Sequence, residues 1–283
     1  MAGHRDPIPP RWNEIPLPDA WTDREAKGVR GAWRLLRHAL SGRRARVALP
    51  AGLPLAAQIP RYALQEFHNI PNGNYSNRLT RGYATGFDVA MLGRMRPARR
   101  RMADALASCE SVLDVGCGGG GSTEALAAHG IAEVWGIDPS PYLLRCAAGR
   151  VPDARFVQGI AEATGFADER FDGIACCFVF HELPPHAADR ALAELARILR
   201  RGGRLAIVEP AAEQYHTGMW RLVARHGPLG AYFRVLARAI HEPFAAQWHR
   251  RDARAWLAEH RFRVVVDRVD FPVRMLVSER EPQ

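Results

Sequence analysis

The chain has 283 residues, of which 47% are apolar and 24% are charged, and its formal net charge is +9. A chain of this length can bury an ample core without disulfides, and its composition is that of an ordinary globular protein. No stretch approaches the roughly 20 consecutive apolar residues of a membrane span, and the N-terminus lacks the apolar core of a signal peptide. The five cysteines are odd in number and show no zinc-like spacing. We therefore expect reduced thiols, no metal and a cytoplasmic protein.

The basic balance points first to nucleic acid as a partner. However, Lys27 is the only lysine, so arginine supplies almost all of the 39 basic residues. Such a bias is more typical of the base composition of a genome than of a selected polyanion site. Nucleic acid is therefore the less favoured partner, although an RNA substrate stays open as an alternative.

Two unlike segments begin the chain. Residues 1–22 are rich in proline and predict an extended arm. Residues 23–47 are rich in arginine, and Trp33, Leu36 and Leu40 recur there at helical spacing. Two interpretations stay open: a surface helix that packs on the rest of the protein, or an interfacial helix in peripheral contact with anionic lipid.

Residues 48–107 change from turns to a helix. The polar run 72–77 is typical of turns, and a solvent-facing loop fits this composition. Residues 88–107 predict the first helix of the core, with a methionine-rich apolar side. We therefore divide the chain into an N-terminal arm with a helical extension, residues 1–87, and a main domain, residues 88–283.

The most informative segment is 112–126, in which a buried strand leads through an acid into a glycine-rich turn. Glycines leave bare backbone for a ligand, and Ser122 is placed to cap the helix that follows. Together these features predict a nucleotide-sized pocket at the switch point of a parallel sheet. The glycines of this turn that carry the pattern are Gly116, Gly118, Gly120 and Gly121.

Two carboxylates help to choose the nucleotide. Asp114 stands two residues before the first glycine, where it would repel a pyrophosphate and attract the ammonium group of a methionine moiety. Asp138 ends the second predicted strand, 138 − 116 = 22 residues after that glycine. A carboxylate there can accept hydrogen bonds from both ribose hydroxyls. The pair favours S-adenosylmethionine over a dinucleotide.

From residue 111 the pattern alternates between strands and helices, which predicts a doubly wound α/β sheet. The first five predicted strands are 111–115, 133–137, 154–158, 172–179 and 204–209. Residues 211–250 then break the alternation as a helical, aromatic and basic insertion. The last two predicted strands, 262–267 and 271–277, are joined by so few residues that we expect an antiparallel pair.

Motifs across residues 105–277 resemble those of the class I S-adenosylmethionine-dependent methyltransferases. The resemblance is to the small-molecule branch that includes quinone-biosynthesis C-methyltransferases. It rests on five segments in order: 112–120, 136–140, 156–172, 178–183 and 195–209. It implies a seven-stranded Rossmann-like sheet with a reversed seventh strand, S-adenosylmethionine as cofactor and S-adenosylhomocysteine as product.

The resemblance also implies a set of cofactor contacts. Ile160 replaces the Asp or Asn that the family often carries, so we expect the adenine to be held by backbone at Ala161 or by Glu162. The full set of expected cofactor contacts is Asp114, Gly116, Cys117, Gly118, Gly120, Asp138, Pro139, Ala161, Glu162 and Phe178.

For the acceptor, the resemblance implies in-line methyl transfer to a small aromatic or lipophilic molecule. Residues 68–87 would act as a lid, and the insertion 211–250 would cover the acceptor. His181 follows the fourth strand and is the candidate general base, with a structural role as its alternative. The candidate substrate contacts are Tyr75, Tyr83, His181, Tyr215 and Trp220. A catalytically silent cofactor-binding scaffold stays open as an alternative, as does the oligomeric state, a homodimer included.

Overall fold

The computed structural model describes residues 6–42 and 44–282, and its centre is a seven-stranded sheet. The strands are β1 (Ser111–Val115), β2 (Glu133–Asp138), β3 (Arg155–Gln158), β4 (Phe171–Cys177), β5 (Leu199–Pro210), β6 (Phe262–Asp270) and β7 (Val273–Arg280). Their order across the sheet is β3-β2-β1-β4-β5-β7-β6. The first five run parallel, and β7 is antiparallel to both of its neighbours. The predicted doubly wound sheet with a reversed last strand is confirmed.

Helices precede the sheet, connect its strands and fill the insertion. Those before the sheet are α1 (Trp21–Glu25), α2 (Val29–Leu40), α3 (Asn77–Ala90) and α4 (Met95–Ala105). Those between strands are α5 (Gly121–Ala128), α6 (Pro141–Arg150) and α7 (Pro185–Ile198). After β5 come α8 (Glu213–His216), α9 (Met219–His226), α10 (Pro228–Ala239), α11 (Ala245–Trp248) and α12 (Ala253–Glu259). Across the described ranges, none of the helices has the length and apolar character that crossing a bilayer requires.

The predicted single helix over residues 88–107 is wrong. Helix α3 ends at Ala90 and α4 begins at Met95, and a turn separates them. In that turn Leu92 (φ 50°) and Gly93 (φ 71°) adopt left-handed conformations that interrupt helical hydrogen bonding. Leu92 therefore leaves the apolar stripe and is 47% exposed, whereas Met95 and Met102 are fully buried.

The core lies on both faces of the sheet, as expected when helices pack on a parallel sheet. Val112 of β1 packs in one apolar cluster with Ala175 of the neighbouring strand β4. Leu113 and Val115 point the other way and pack with Ile174 in a second cluster. These five side chains are at most 1% exposed, so β1 is fixed from both sides before it enters the glycine turn.

Residues 12–18 pack on the sheet and its helices beside this turn. Trp12 is buried in a cluster with Cys117, and its indole N–H donates to the carbonyl of Phe156 at 2.9 Å. Further along the arm, the carbonyl of Pro18 accepts a hydrogen bond from the Tyr142 hydroxyl at 2.6 Å. These residues thus contact the glycine turn after β1, strand β3 and helix α6.

The strand order reverses at β1, which has β2 on one side and β4 on the other. The carboxyl ends of these three strands run into the turns 116–120, 139–140 and 178–184. Ligands of open α/β sheets bind in the crevice at such a switch point. The predicted nucleotide pocket should therefore lie between these turns.

Candidate cofactor and active site

The glycine turn takes the shape that its sequence predicts. Gly116, Gly118 and Gly120 have φ values of 63°, 52° and 82°, which L side chains rarely adopt. A Cβ at Gly116 would lie 2.8 Å from the Val179 side chain. Gly116 and Gly118 line the cavity at the switch point. Gly120 does not line it; Gly120 approaches Ala147 of α6 instead, where a Cβ would lie 2.9 Å from that residue's Cα.

The helix after the turn begins differently from the prediction. Gly120, not Ser122, is the N-cap of α5. The Ser122 hydroxyl donates to Asp114 Oδ2 at 2.7 Å, and the Thr123 hydroxyl donates to the same oxygen at 2.6 Å. Ser122 lies within the first turn of α5, so its side chain is turned back toward β1.

Asp114 lies beneath the glycine turn and not on the cavity wall. It is completely buried, and its Oδ1 has no hydrogen-bond partner among the described residues. Burial raises its pKa to about 6, although the bonds from Thr123 and Ser122 act to lower it. The expected direct contact with an ammonium group is therefore corrected: Asp114 ties the start of α5 to the end of β1.

Asp138 occupies the position expected of the ribose ligand. Its Oδ2 accepts the Gly118 N–H at 3.0 Å, and its Oδ1 accepts the Ser140 N–H at 2.8 Å. It lines the cavity, and burial raises its pKa to about 7. Each oxygen retains acceptor capacity after one backbone bond. Asp138 thus holds the glycine turn and can still accept two ribose hydroxyls.

The cavity has two adjoining parts, which share six wall residues and differ in the rest of their walls. Asn74, Gly116, Asp138, Leu143, Phe178 and Glu182 line both parts. The first part is largely apolar, and its further wall includes Ile137, Pro139, Ile160 and Ala161. The second part is more polar, and its further wall includes Arg99, Cys117, Ser122 and Cys177. This division suits a flat base at one end and a charged amino acid at the other.

Two observations test whether S-adenosylmethionine fits. The buried Asn74 Oδ1 lacks a partner among the described residues, so it can accept from an ammonium group. Arg99 is mostly buried on the second part of the cavity, where its guanidinium can meet a carboxylate while it also pairs with Asp88 at 2.7 Å. With Asp138 at the junction, the residues present fit the cofactor.

One expected adenine contact lies outside the cavity. Glu162 accepts the Tyr62 hydroxyl at 2.7 Å and lies 3.6 Å from the Arg190 guanidinium. Its carboxylate is occupied by these two partners, so it acts on the cavity only through Tyr62, which lines the first part. Ile160 and Ala161 do line that part, as expected.

Beside the cavity lies a mostly buried chain of carboxylates and imidazoles, in which the Glu182 side chain, at the cavity end, is 30% exposed. Glu182 Oε1 is 3.3 Å from His68 Nε2, which is 3.6 Å from Glu242 Oε1. The same Glu242 oxygen is 3.7 Å from His181 Nε2, and His181 Nδ1 contacts Glu209 Oε2 at 2.6 Å. Among these five residues only Glu182 lines the cavity. The chain therefore runs from the cavity wall into the core.

Opposite charges alternate along this row of carboxylates and imidazoles, and they shift one another's pKa values. Burial lowers the pKa of His68, but its contact with Glu242 and the charge of Glu182 outweigh burial and raise the pKa overall. Burial likewise opposes protonation of His181, yet Glu209 and Glu242 raise its pKa well above the usual value. Burial raises the pKa of Glu182 despite both imidazoles. The pKa of Glu242 is far below its usual value because contacts with His181 and His68 outweigh burial.

His181 has a different position from the one expected of a base. It is completely buried, and the ring of Phe178, which lines the cavity, contacts it edge-on at 5.4 Å between ring centroids. The backbone N–H and the ring Nδ1 of His181 both contact the Glu209 carboxylate. The same carboxylate accepts hydrogen bonds from the backbone N–H groups of Val179 and Phe180 at 2.9 and 2.8 Å. Glu209 therefore fixes the turn after β4, and His181 lies behind the cavity wall.

The structure divides the expected substrate contacts. Tyr75 lines the first part of the cavity and Tyr83 the second, where Tyr83 stacks on His68 at 5.2 Å. Tyr215 is not among the residues that line the cavity, and its hydroxyl donates to Glu242 at 2.6 Å. Trp220 is 84% exposed and also lies off the wall. These two residues are corrections to the expectation that the insertion walls the acceptor.

Several site residues were missed from the sequence. Their only local signal is turn chemistry, as in the run 72–77, or an arginine among many. Two non-glycine residues here have a left-handed backbone, His68 with φ 56° and Phe178 with φ 62°, a conformation that often marks functional sites. The missed residues at the cavity or in the buried chain are His68, Asn74, Arg99, Glu182 and Glu242. No group of three or more His, Cys, Asp or Glu within the described ranges could hold a metal ion.

The fold and the site define an α/β protein that binds a nucleotide cofactor at the switch point of its sheet. A family model described as a methyltransferase domain matches residues 113–207. The demethylmenaquinone methyltransferase of Renibacterium salmoninarum is 32% identical over 171 residues, which cover 60% of this chain and 70% of that one. The chain belongs to the family of S-adenosylmethionine-dependent methyltransferases.

Two further proteins are similar to this chain, one in sequence and one in fold. The trans-aconitate 2-methyltransferase of Rhizobium rhizogenes is 36% identical over 139 residues, and the match spans about half of each chain, 48% of this one and 53% of that one. Among solved structures, the methyltransferase in a complex with the Haloferax volcanii methyltransferase activator is similar with a TM-score of 0.51 and 19% identity. That match covers 72% of this chain and 98% of the other. At this identity the likeness concerns the fold alone.

Proposed function

We propose that this enzyme methylates a small, lipophilic or aromatic acceptor that loses a proton from carbon or oxygen, and that Glu182 receives the proton. The single observation that carries the proposal is the position of Glu182. Glu182 lines both parts of the cavity. It is also the first residue of the chain of carboxylates and imidazoles, and His68 is the second. A base at this junction would reach an acceptor placed next to the cofactor.

The cofactor would be held by residues on both walls. Asp138 would accept the ribose hydroxyls, Ile160 and Ala161 would contact the adenine, and Arg99 would meet the methionine carboxylate. When bound, the cofactor supplies a sulfonium methyl group that a nucleophile displaces in line. Because the methyl group is already activated, the protein's main tasks are to align the acceptor and exclude water.

Glu182 suits the role of base better than His181. Its raised pKa lets the carboxylate hold a proton closer to neutral pH than an exposed glutamate can. His181 has a pKa well above its usual value and no place on the cavity wall. We therefore assign His181 to a positioning role: as a buried cation it keeps Glu242 ionised, and Glu242 in turn orients His68 toward Glu182.

The acceptor wall supports a lipophilic substrate. Phe67, Phe87, Phe178 and Leu183 give it large apolar surfaces near Glu182. Such a wall suits an aromatic ring of the demethylmenaquinone kind. An acceptor with several carboxylates, such as trans-aconitate, would face the Glu182 carboxylate, and the Arg99 guanidinium would already be engaged by Asp88 and the methionine carboxylate of the cofactor. We also place the enzyme in the cytoplasm, which the five free cysteines of the described chain support.

Parallel transfer assays test the proposal. Tritium-labelled S-adenosylmethionine is incubated with reduced demethylmenaquinone, with trans-aconitate and with total RNA, and calorimetry measures binding of S-adenosylhomocysteine and NAD. We expect label in the quinone, heat from S-adenosylhomocysteine and none from NAD. Label in RNA with a steep salt dependence would favour an RNA methyltransferase. Cofactor binding without transfer to any acceptor would favour a silent scaffold.

A further inference from the structure

Helix α2 presents an apolar stripe to solvent. Val29, Trp33, Leu36 and Leu40 follow one another at intervals of four, three and four residues, which places them on one side of the helix. They are 87%, 60%, 56% and 77% exposed. On the opposite side, Leu35 is buried against the protein. The stripe is therefore not the face that holds α2 to the rest of the chain.

The chain around this stripe is strongly basic. From Ala26 to Gln65 the sequence contains no acidic residue. Arg30 and Arg37 lie on the flank of the stripe by helical spacing, and the Arg37 guanidinium lies 5.8 Å from the centre of the Trp33 ring. The basic residues of this stretch are Lys27, Arg30, Arg34, Arg37, Arg43, Arg44, Arg46 and Arg61. An apolar stripe flanked by arginines is the pattern of helices that lie in a membrane interface.

The orientation of α2 is fixed by a buried contact. His38 Nε2 lies 2.9 Å from Glu66 Oε2, and the Glu66 side chain is 2% exposed. Glu66 also accepts the backbone N–H of Asn72 at 2.9 Å. Its neighbours in sequence, Gln65 and Phe67, line the first part of the cavity. The helix is thus attached to the segment that walls the cavity.

We propose that α2 docks on the surface of a lipid bilayer that contains anionic phospholipids. Its apolar stripe enters the boundary between headgroups and acyl chains, and the flanking arginines meet lipid phosphates. The distribution of charge and apolar surface argues against two other binding partners, a second copy of this protein and RNA. A second copy of the helix would bring like charges together, and an RNA backbone would leave Trp33 and Leu36 without an apolar partner. The proposal goes beyond the methyl transfer above and does not depend on the acceptor.

Vesicle co-sedimentation tests the surface with the full-length protein. Vesicles of seven parts phosphatidylcholine to three parts phosphatidylglycerol are compared with pure phosphatidylcholine. We expect binding to the anionic vesicles, weakened by salt, and at least tenfold weaker binding to neutral ones. Trp33→Ser/Leu36→Ser and, separately, Arg30→Gln/Arg37→Gln should each weaken the anionic binding at least tenfold. Circular dichroism should be unchanged, because these side chains are at the surface.

Trp220→Ser is the matched control, since Trp220 is an exposed tryptophan on another arginine-bearing helix, α9. We expect its vesicle binding to equal that of the wild type, and an equal loss in Trp220→Ser and the α2 variants would overturn the assignment to α2. Absence of binding to anionic vesicles at low salt would also overturn it. So would RNA binding or self-association that the α2 variants abolish while vesicle binding stays undetectable. Because the readout needs neither cofactor nor acceptor, its failure would leave the proposed methyl transfer untouched.

Discussion

Two segments outside the repeating strand–helix pattern contribute to the site in different ways. Residues 62–87, which we call the cover segment, place Tyr62, Phe67, Asn74, Tyr75 and Tyr83 on the cavity wall. The insertion 211–250 places none of its described residues there. Its contribution is Glu242, which lies behind the wall against His68 and His181.

The cover segment therefore contacts the ligand, whereas the insertion controls the charge of the residues behind the wall. The two segments are joined directly, since the His68 N–H donates to the His241 carbonyl at 3.1 Å and the Asn69 side chain donates to the Ala239 carbonyl at 2.7 Å. A change in the insertion can therefore reach the cavity through the cover segment, through the charge of Glu242, or through Trp248, whose ring stacks on Phe180 in the turn after β4 at 5.5 Å. We expect variants of the cover segment to alter binding, and variants of the insertion to alter protonation and stability.

The largest effect should come from Glu182→Gln, at the point where both contributions meet. Glutamine keeps the size of the side chain but cannot accept a proton. We expect turnover to fall by about 10²- to 10⁴-fold, the usual contribution of a general base. Binding of S-adenosylhomocysteine should stay within about threefold, or ~0.7 kcal/mol. Glu110→Gln, at an exposed carboxylate, is the control. Full activity of Glu182→Gln would remove the base from our mechanism.

The next largest effect should come from Glu242→Gln in the insertion. Removing this carboxylate leaves two buried imidazoles short of a partner, so we expect the free energy of unfolding to fall by about 3 to 5 kcal/mol. Glu213→Gln is the control in the same insertion, because Glu213 also pairs with a histidine, at 3.1 Å, but is partly exposed. We expect Glu213→Gln to lower the free energy of unfolding by less than about 1 kcal/mol.

The pH dependence of that loss identifies its cause. Folding raises the pKa of His68 and His181, so their contribution is full below the unfolded pKa of about 6.5 and is lost as pH rises through the folded value. Folding lowers the pKa of Glu242, whose contribution is lost as pH falls below about 4.5. Denaturation at several pH values should therefore show the largest loss between about pH 4.5 and 6.5. A loss independent of pH would point to packing instead.

A smaller effect is expected at Asp138, which serves both parts of the cavity. Asp138→Ala should weaken S-adenosylhomocysteine binding by about 1.5 to 3 kcal/mol, the range for hydrogen bonds to a charged group. Because burial raises its pKa to about 7, wild-type affinity should fall as pH drops below that value. Asp138→Asn should show weaker but pH-independent binding in calorimetry. The exposed Asp153→Ala serves as control, and unchanged binding in Asp138→Ala would remove this carboxylate from the site.

The succession of strands along the chain and the place of Asp138 at the end of β2 could be predicted from the sequence because both depend on local patterns. Apolar runs, a glycine turn and an acid at a strand end follow one another along the chain. Asn74, Arg99 and His68 could not be identified in this way, since only tertiary packing brings them to the turns after β1 and β4. Aromatic density in the insertion suggested an acceptor wall, yet Trp220 points to solvent. The composition of residues 211–250 correctly predicted helices, but it could not predict which way their side chains point.

The smallest effects distinguish the two segments most directly. Asn74→Ala removes a buried acceptor from the cavity wall, so we expect S-adenosylhomocysteine binding to weaken by about 0.5 to 1.5 kcal/mol. Trp220→Ala removes a large but exposed side chain, so binding and turnover should stay within about twofold and stability within about 0.5 kcal/mol. Calorimetry, the transfer assay and thermal denaturation measure the three quantities. A tenfold loss of turnover in Trp220→Ala would show that the insertion contacts the acceptor after all. Unchanged binding in Asn74→Ala would show that the cover segment does not contact the cofactor through Asn74.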